Sequence, residues 1–545
     1  MKPLILHNGT IHTLNPRHPR ADALAIRDGR IVAVGSAAAV RAASGPHYDE
    51  INLYGHTILP GLTDSHVHLH WYGHMLHNVM LEQTRCLNDA AERIAAHRPS
   101  LSPESWLRGG GWSHSTWGHW PTRNHLDHLC PDHPAMLFSR DGHAIWVNSR
   151  ALHLAGIDHT TPDPPGGHIQ RDEQGNPTGI LFEHAIELVQ QNIPPHRPEE
   201  RLQTLLAAQQ HMLSYGLTSA HIPPSTLAGD GRQILSDLQV LRERGDLRVR
   251  CLLHIAAEDF DAALAMGLRS GFGDSWLRIG GLKIFTDGSL GSQTAEMLTP
   301  YAGSQSRGIA TLPVETLNAM VARASRHGIS VVLHAIGDAA NRKALDAIHA
   351  AQQNSSTQED THARPALPHR IEHAQVLHPD DLPRFAASGI VASMQPLHAI
   401  DDMEDAERLW GERCAGAYAW RSLRQSGATL AFGSDAPVAH INPWEGIHAA
   451  VTRQRPDHTP DGGWYPNECL SLDEALHAYS TGPAQSSGER ADKGMLAVGM
   501  LADMVILAHD PYQHPPRGLL TLSTVATLVA GHLQYGAYPT SKPNR

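Results

Sequence analysis

The sequence predicts an α/β fold, a (β/α)8 TIM-type barrel, with a small β-sandwich built from both termini and an inserted subdomain. Three observations predict it. Short apolar runs alternate with helical patterns through the middle of the chain, the signature of βα units and a parallel sheet. About eight such runs can be counted, the number that closes a parallel barrel. Both ends carry strand patterns of another kind, and one long segment breaks the alternation. At 545 residues the chain exceeds the ~250–300 residues of a usual single core, so more than one domain is expected.

The chain opens with "LILHNGTIHTL" and "DALAIRDGRIVAVGS", short strands in which Asp28-Gly29 supplies a hairpin turn. It closes with "LADMVILAHDP" and "VATLVAGHLQYGAYP", strands turning at Ala530-Gly531. A few isolated strands are marginal alone, so residues 1–57 and 490–545 are expected to complete one another as the sandwich. The barrel, 58–80 plus 202–489, is assigned the strands "TILPGLTDSHVH", "GLTSAHI", "LRVRCLLHI", "IGGLKIFTDG", "SVVLHAIGD", "HRIEHAQ", "GIVASMQP" and "ATLAFGSDAP". Between two of them, "ETLNAMVARASRHG" has apolar residues at helical spacing and a stop at Gly328. Residues 81–201 are far too long for a βα loop and read as a subdomain over the barrel mouth, where functional loops lie. "QQNSSTQEDTHARPALP", Gln352–Pro368, is polar and reads as a solvated loop.

Composition narrows the partners. The balance of 43 Lys+Arg against 55 Asp+Glu, net charge -12, has no basic run to follow a phosphate backbone, which argues against nucleic acid. No apolar stretch approaches the ~18–20 residues of a membrane span, and "MKPLILHNGT" is not a signal peptide. A cytoplasmic protein with a small-molecule substrate is expected. Cys86, Cys130, Cys251, Cys414 and Cys469 are scattered without a CxxC and read as reduced thiols. The 40 histidines are unusual for the most common protein metal ligand, but only those with a positional argument count.

That argument comes from the strand ends, where barrels of this kind carry their sites. His66 and His68 end the first strand in "GLTDSHVHLH", Lys283 lies late in "GGLKIF", His334 ends "SVVLH", His373 ends "RIEH" and Asp435 ends "LAFGSD". Each alone reads equally as a hydrogen-bonded core or loop residue; the joint pattern does not. Alternate side chains on a strand share a face, so HxH can present two imidazoles to one ion. Lys283 is the informative member, since an ammonium in an apolar strand beside cations is repelled and costly to bury. Condensed with carbon dioxide it becomes a carbamate, an anion able to bridge two ions ~3.5–4 Å apart. Its bland alternative is a lysine snorkelling at a strand end.

Taken together, "ILPGLTDSHVHL", "GLKIFTDGSLGSQTA", "VVLHAIGDAAN", "RIEHAQ", "FGSDAPV" and "GMLAVGMLADMVIL", in that order, resemble the metal-dependent amidohydrolase superfamily. Within it they resemble the amidohydrolase family 3 branch with its N-substituted formamide deformylase-like proteins. The resemblance implies one metal held by His66, His68 and Asp435, a second by His334 and His373, and carboxylated Lys283 between them. One or two divalent ions are implied, zinc being the usual tenant. Metal-bound hydroxide would attack a carbonyl and Asp435 would serve as general base and acid, cleaving a C–N bond of an N-substituted amide or formamide. A cyclic amidohydrolase opening a lactam or imide is the alternative reading, and a non-catalytic relative a weaker one. A homodimer fits the resemblance.

Substrate contacts are sought in "GGGWSHSTWGHW" and "RDGHAIWVNS", where Trp112, His143 and Trp146 stand out, and at Asp287, Gln395 and His398 beside the barrel strands. The other reading of the tryptophans is core of the subdomain. His70 lies past the strand end and is expected near the pocket mouth, off the metal.

Overall fold

The computed structural model describes residues 2–81, 84–101, 105–139, 144–194, 196–224, 233–356 and 365–543. The apolar runs become eight strands: β1 Leu62–Asp64, β2 Leu217–Ile222, β3 Arg250–Ile255, β4 Leu277–Phe285, β5 Val331–Ala335, β6 Arg370–His373, β7 Val391–Met394 and β8 Thr429–Phe432. They pair in chain order, each parallel to the next. Just past β1, Ser65 N–H donates to Phe432 O of β8 at 3.0 Å, bringing the first and last strands together as an α/β barrel. Every residue of β2, β3 and β5 is buried, as strands covered on both faces require.

The connecting helices follow from spacing. Helix Val314–Arg326 buries Leu317, Val321 and Ala324, one stripe of a 3.6-residue period, and Gly328 closes it at φ +73°. Helix Asp338–Ser356 runs on through Gln352, so the expected loop from Gln352 begins instead as helix; residues 357–364 lie outside the described residues. "AIHAAQQ" carries enough alanine and glutamine to extend a helix already nucleated.

Strands from both termini form one sheet rather than two separate halves. Thr57–Pro60 pairs with Met504–Leu507, antiparallel, and also with Leu4–His12. The run "TILPGLTD" is therefore two strands, one in this sheet and one in the barrel. Gly61 sits between them because a Cβ there would stand 2.3 Å from Thr218 Oγ1. Both expected turns are present, with Asp28 and Gly29 at φ 53° and 76° and Ala530 and Gly531 at 50° and 74°, the left-handed pair of a two-residue hairpin loop.

The chain divides into two compact units, Met1–His70 with Ala208–Arg545, and Trp71–Ala207. The second has its own six-stranded sheet, in the order Gly167–Arg171, Pro177–Glu183, Ala144–Val147, Ala135–Ser139, Leu107–Trp112, Val79–Met80. Its core gathers Trp112, Trp117, Leu126, Leu137 and Trp146. All five cysteines are free. Among the described residues no helix is long and apolar enough to cross a membrane.

Candidate metal centre

The centre is assembled at the C-terminal ends of the barrel strands, with Lys283, His334 and His373 on β4, β5 and β6 and with His66, His68 and Asp435 on the segments that follow β1 and β8. β1 stops at Asp64, so strand alternation does not align His66 and His68, contrary to the sequence reading. Asp64 does that work. Its buried carboxylate accepts the His66 backbone N–H at 3.0 Å, the Ser434 N–H at 3.0 Å and the Ser434 hydroxyl at 2.6 Å, tying the loop after β1 to the loop after β8. Burial raises the Asp64 carboxyl to about 7, only partly offset by these donors. Asp435 N–H donates to His66 O at 2.7 Å and His68 N–H to Ala436 O at 3.0 Å. Gly433 permits this approach, since a Cβ there would meet His66 N at 2.4 Å.

Two side chains of the centre stand on backbone that L-residues rarely adopt, His373 at φ 71° and Asp435 at φ 60°. Such conformations cost about 1–3 kcal/mol each and persist where the surroundings enforce them, often at functional sites. Here they aim the two side chains inward. Ligand atoms of His66, His373 and Asp435, all buried, lie within 4.8 Å of one another. His66 Nδ1–H is committed to Glu372 and His373 Nδ1–H to Gln395 Oε1 at 2.9 Å, leaving each Nε2 as the lone-pair nitrogen. His68 Nε2 and His66 Nε2 stand 3.2 and 3.5 Å from Asp435 Oδ1.

His373 stands between the two groups, gathered with His66 and Asp435 and also beside His334. The His334 ring centroid is 4.5 Å from that of His373, but its Nε2–H donates to Gly288 O at 3.0 Å. That leaves Nδ1 as its available nitrogen, buried and without a hydrogen-bond partner among the described residues. Lys283 Nζ is likewise buried and finds no hydrogen-bond partner among them; it lies 4.8 Å from the Phe285 ring centroid.

Charge follows burial. Desolvation lowers His66, takes His334 to about 3 and holds His373 well below its ordinary range, so burial favours the neutral imidazole at each. Desolvation brings Lys283 down to about 8, against the pull of Glu372 and Asp435. For Asp435 burial works upward, but His66, His68 and His373 outweigh it and hold the carboxylate well below its usual range. Neutral imidazoles, one firm carboxylate and an amine partly unprotonated near neutrality form a donor set suited to a divalent cation.

The remaining sequence candidates have other work. The Asp287 oxygens accept backbone N–H groups from Glu296 at 2.9 Å, Ile336 at 3.1 Å and Gly337 at 2.8 Å, so it organises the loops after β4 and β5. Gln395 orients His373. Trp112 and Trp146 are fully buried, donating to Leu137 O and Thr122 O at 2.8 Å each; they are core of Trp71–Ala207 rather than an open aromatic wall, because their indoles complete its packing. His143 lies outside the described residues. Missed by sequence reasoning were Asp64, Glu372, Arg370 and Phe285. "RIEH" held a usable signal, two opposite charges two apart in a strand that had to be buried.

Comparison with known proteins places this geometry. Residues 49–535 match the amidohydrolase family. The chain belongs to that family. Residues 23–44 also match an imidazolonepropionase-like composite domain of bacteria. Protein LONG AFTER FAR-RED 3 of Arabidopsis thaliana is 34% identical over 98% of this chain and 91% of its own length. The N-substituted formamide deformylase of Arthrobacter pascens is 29% identical over 98% of each chain. A solved structure, a metal-dependent hydrolase from Pyrococcus furiosus, aligns with a TM-score of 0.77 at 29% identity over 94% of this chain and 100% of its own. This amidohydrolase is a hydrolytic enzyme for carbon–nitrogen bonds other than peptide bonds.

Proposed function

We propose that this amidohydrolase cleaves the C–N bond of an N-substituted amide or formamide at a divalent-metal centre, with Asp435 as general base and acid. The observation that carries the reading is the convergence of buried His66, His373 and Asp435 ligand atoms within 4.8 Å of one another. His66, His68 and Asp435 would hold one ion and His334 and His373 a second, zinc suiting the nitrogen and oxygen donors. When bound, the ion supplies a Lewis acid and acidifies water near neutral pH.

The protein's own part is proton management and placement. Asp435 is ionised at neutral pH and so is able to take a proton from the attacking water and return it to the departing nitrogen. His398 Nε2, 3.8 Å from Asp435 Oδ2, stands on the other side of that carboxylate. The orphaned Lys283 amine fits carboxylation: its neutral nitrogen would add to carbon dioxide, giving up a proton to water, and the resulting carbamate would offer oxygen donors to the ions. Phe285, 41% exposed with its ring centroid 5.1 Å from that of His334, gives the mouth an apolar surface for an N-substituent. The name of the Arthrobacter relative supports the substrate class.

The test is a hydrolysis screen of N-formyl, N-acyl and cyclic amides with zinc, manganese and cobalt at several pH values. Turnover fastest on linear N-substituted formamides or amides is expected. Preference for lactams or imides would transfer the same centre to ring opening, and no hydrolysis with any metal would overturn the reading.

A further inference from the structure

An ion pair inside the barrel remains unused by the chemistry above. Arg370 and Glu372 are two residues apart on β6, so their side chains share one face, and they are 1% and 0% exposed. Arg370 Nε donates to Glu372 Oε1 at 2.8 Å and its Nη2 to Oε2 at 3.2 Å. The other guanidinium contacts reach Ser65 O at 2.7 Å, Ser393 Oγ at 2.7 Å, His221 Nδ1 at 2.8 Å and Ser486 Oγ at 3.4 Å. One cation thereby fixes the segment after β1, together with β2, β6 and β7, around a single carboxylate.

Stability does not explain two charges at this depth, since well-packed apolar residues often replace a buried pair at no loss or with a gain. The remaining contact of Glu372 does. Its Oε2 accepts His66 Nδ1–H at 2.5 Å, and the opposite nitrogen of that ring faces Asp435. A carboxylate behind a ligating imidazole selects its tautomer, fixes its plane and makes the far nitrogen a stronger donor. The two bonds from Arg370, one to each carboxylate oxygen, hold that carboxylate in a single orientation behind the ring.

We propose that Arg370 and Glu372 are positioning residues of the metal centre: Glu372 fixes the tautomer and ring plane of His66, and Arg370 fixes the Glu372 carboxylate in place. The inference rests on the reading of His66 as a metal ligand. Neither residue touches the reacting atoms. Both act through one imidazole.

The experiment is zinc titration of the chelator-stripped full-length protein against a competing chromophoric chelator, with the visible spectrum of the cobalt form as second readout. Glu372→Gln keeps the shape and an acceptor oxygen but removes the charge. It should weaken zinc binding by roughly 10–100-fold and shift the cobalt absorption bands, which altered packing elsewhere would leave in place. The double variant Arg370→Met with Glu372→Gln strands no buried cation. It should show the same loss, and it carries the test alone if the single variant fails to fold. Wild-type affinity in either variant overturns the proposal; recovery in the double variant would trace the single variant's loss to an unpaired Arg370. A wild-type protein that binds no zinc overturns the centre itself, and this inference with it.

Discussion

At the N-terminal end of β3, Arg250 donates to both Asp503 oxygens, at 2.6 and 2.8 Å, and to Ser275 O at 2.7 Å. Asp503 also accepts Ala530 N–H at 2.8 Å. At the other end of the same barrel, Lys283 Nζ and His334 Nδ1 are as deeply buried and have no hydrogen-bond partner among the described residues. Both ends bury ionisable side chains. They differ in whether the valences close within the protein. Where a buried charge is fully paired it fastens barrel to terminal sheet; where polar atoms converge without closing, as the cost of burial says they should not, the protein is built to take up chemistry from outside.

Predictions follow from trying to break that contrast. The largest effect belongs to Asp435→Asn, which removes the charge and the base while keeping the volume: kcat should fall by roughly 10²–10⁴ with an unchanged circular dichroism spectrum. Retained hydrolysis would contradict the assigned role. Next is Lys283→Ala, expected to lose activity and bound metal together, with partial rescue by added formate or acetate; full activity without rescue would leave Lys283 a structural lysine. The same residue gives a pH test. Burial lowers its amine to about 8, and only the neutral amine attacks carbon dioxide. At fixed dissolved carbon dioxide, the reactivation rate of stripped enzyme should therefore climb as pH rises toward about 8 and level off above it. A flat profile would argue against carbamate formation.

The closed end should respond in stability instead. Asp503→Asn leaves the Arg250 guanidinium buried and half-paired, a loss of about 3–5 kcal/mol by breaking one side of such a pair. Denaturant unfolding would measure it, while kcat per folded molecule stays at the wild-type value. A fall in kcat with no loss of stability would erase the distinction between the two ends.

The sequence made the barrel legible because its strands are short apolar runs separated by helices, and every run quoted above contains an observed strand. The chemistry-bearing residues were legible by type and place for the same reason: they sit where apolar runs stop. What was hidden is how they are held. Nothing in "GLTDSHVH" says that the strand ends at Asp64, or that Asp64 bonds Ser434 some 370 residues away. Nothing in "SMQPLH" says that Gln395 turns His373. These are tertiary contacts between loops, which local spacing does not encode. Trp112 and Trp146 failed as wall candidates for a related reason: an aromatic cluster reads the same in sequence whether it lines a cavity or fills a core, and only its burial decides.

His70 sharpens the comparison at its smallest scale. It continues the alternation of His66 and His68 and is as buried as His66, at 2% exposure, so composition and depth alone would make it a third ligand. The backbone decides otherwise. His70 lies in the helix Leu69–Leu76, where the period of two no longer applies, and its Nε2 stands 3.5 Å from Asp237 Oδ2 in the helix Ile234–Arg244. Its Nε2 thus faces Asp237 rather than Asp435. His70→Asn should therefore leave the zinc content of purified protein unchanged. Elemental analysis beside a His66→Asn control checks it, and an equal loss of zinc in both would place His70 among the ligands.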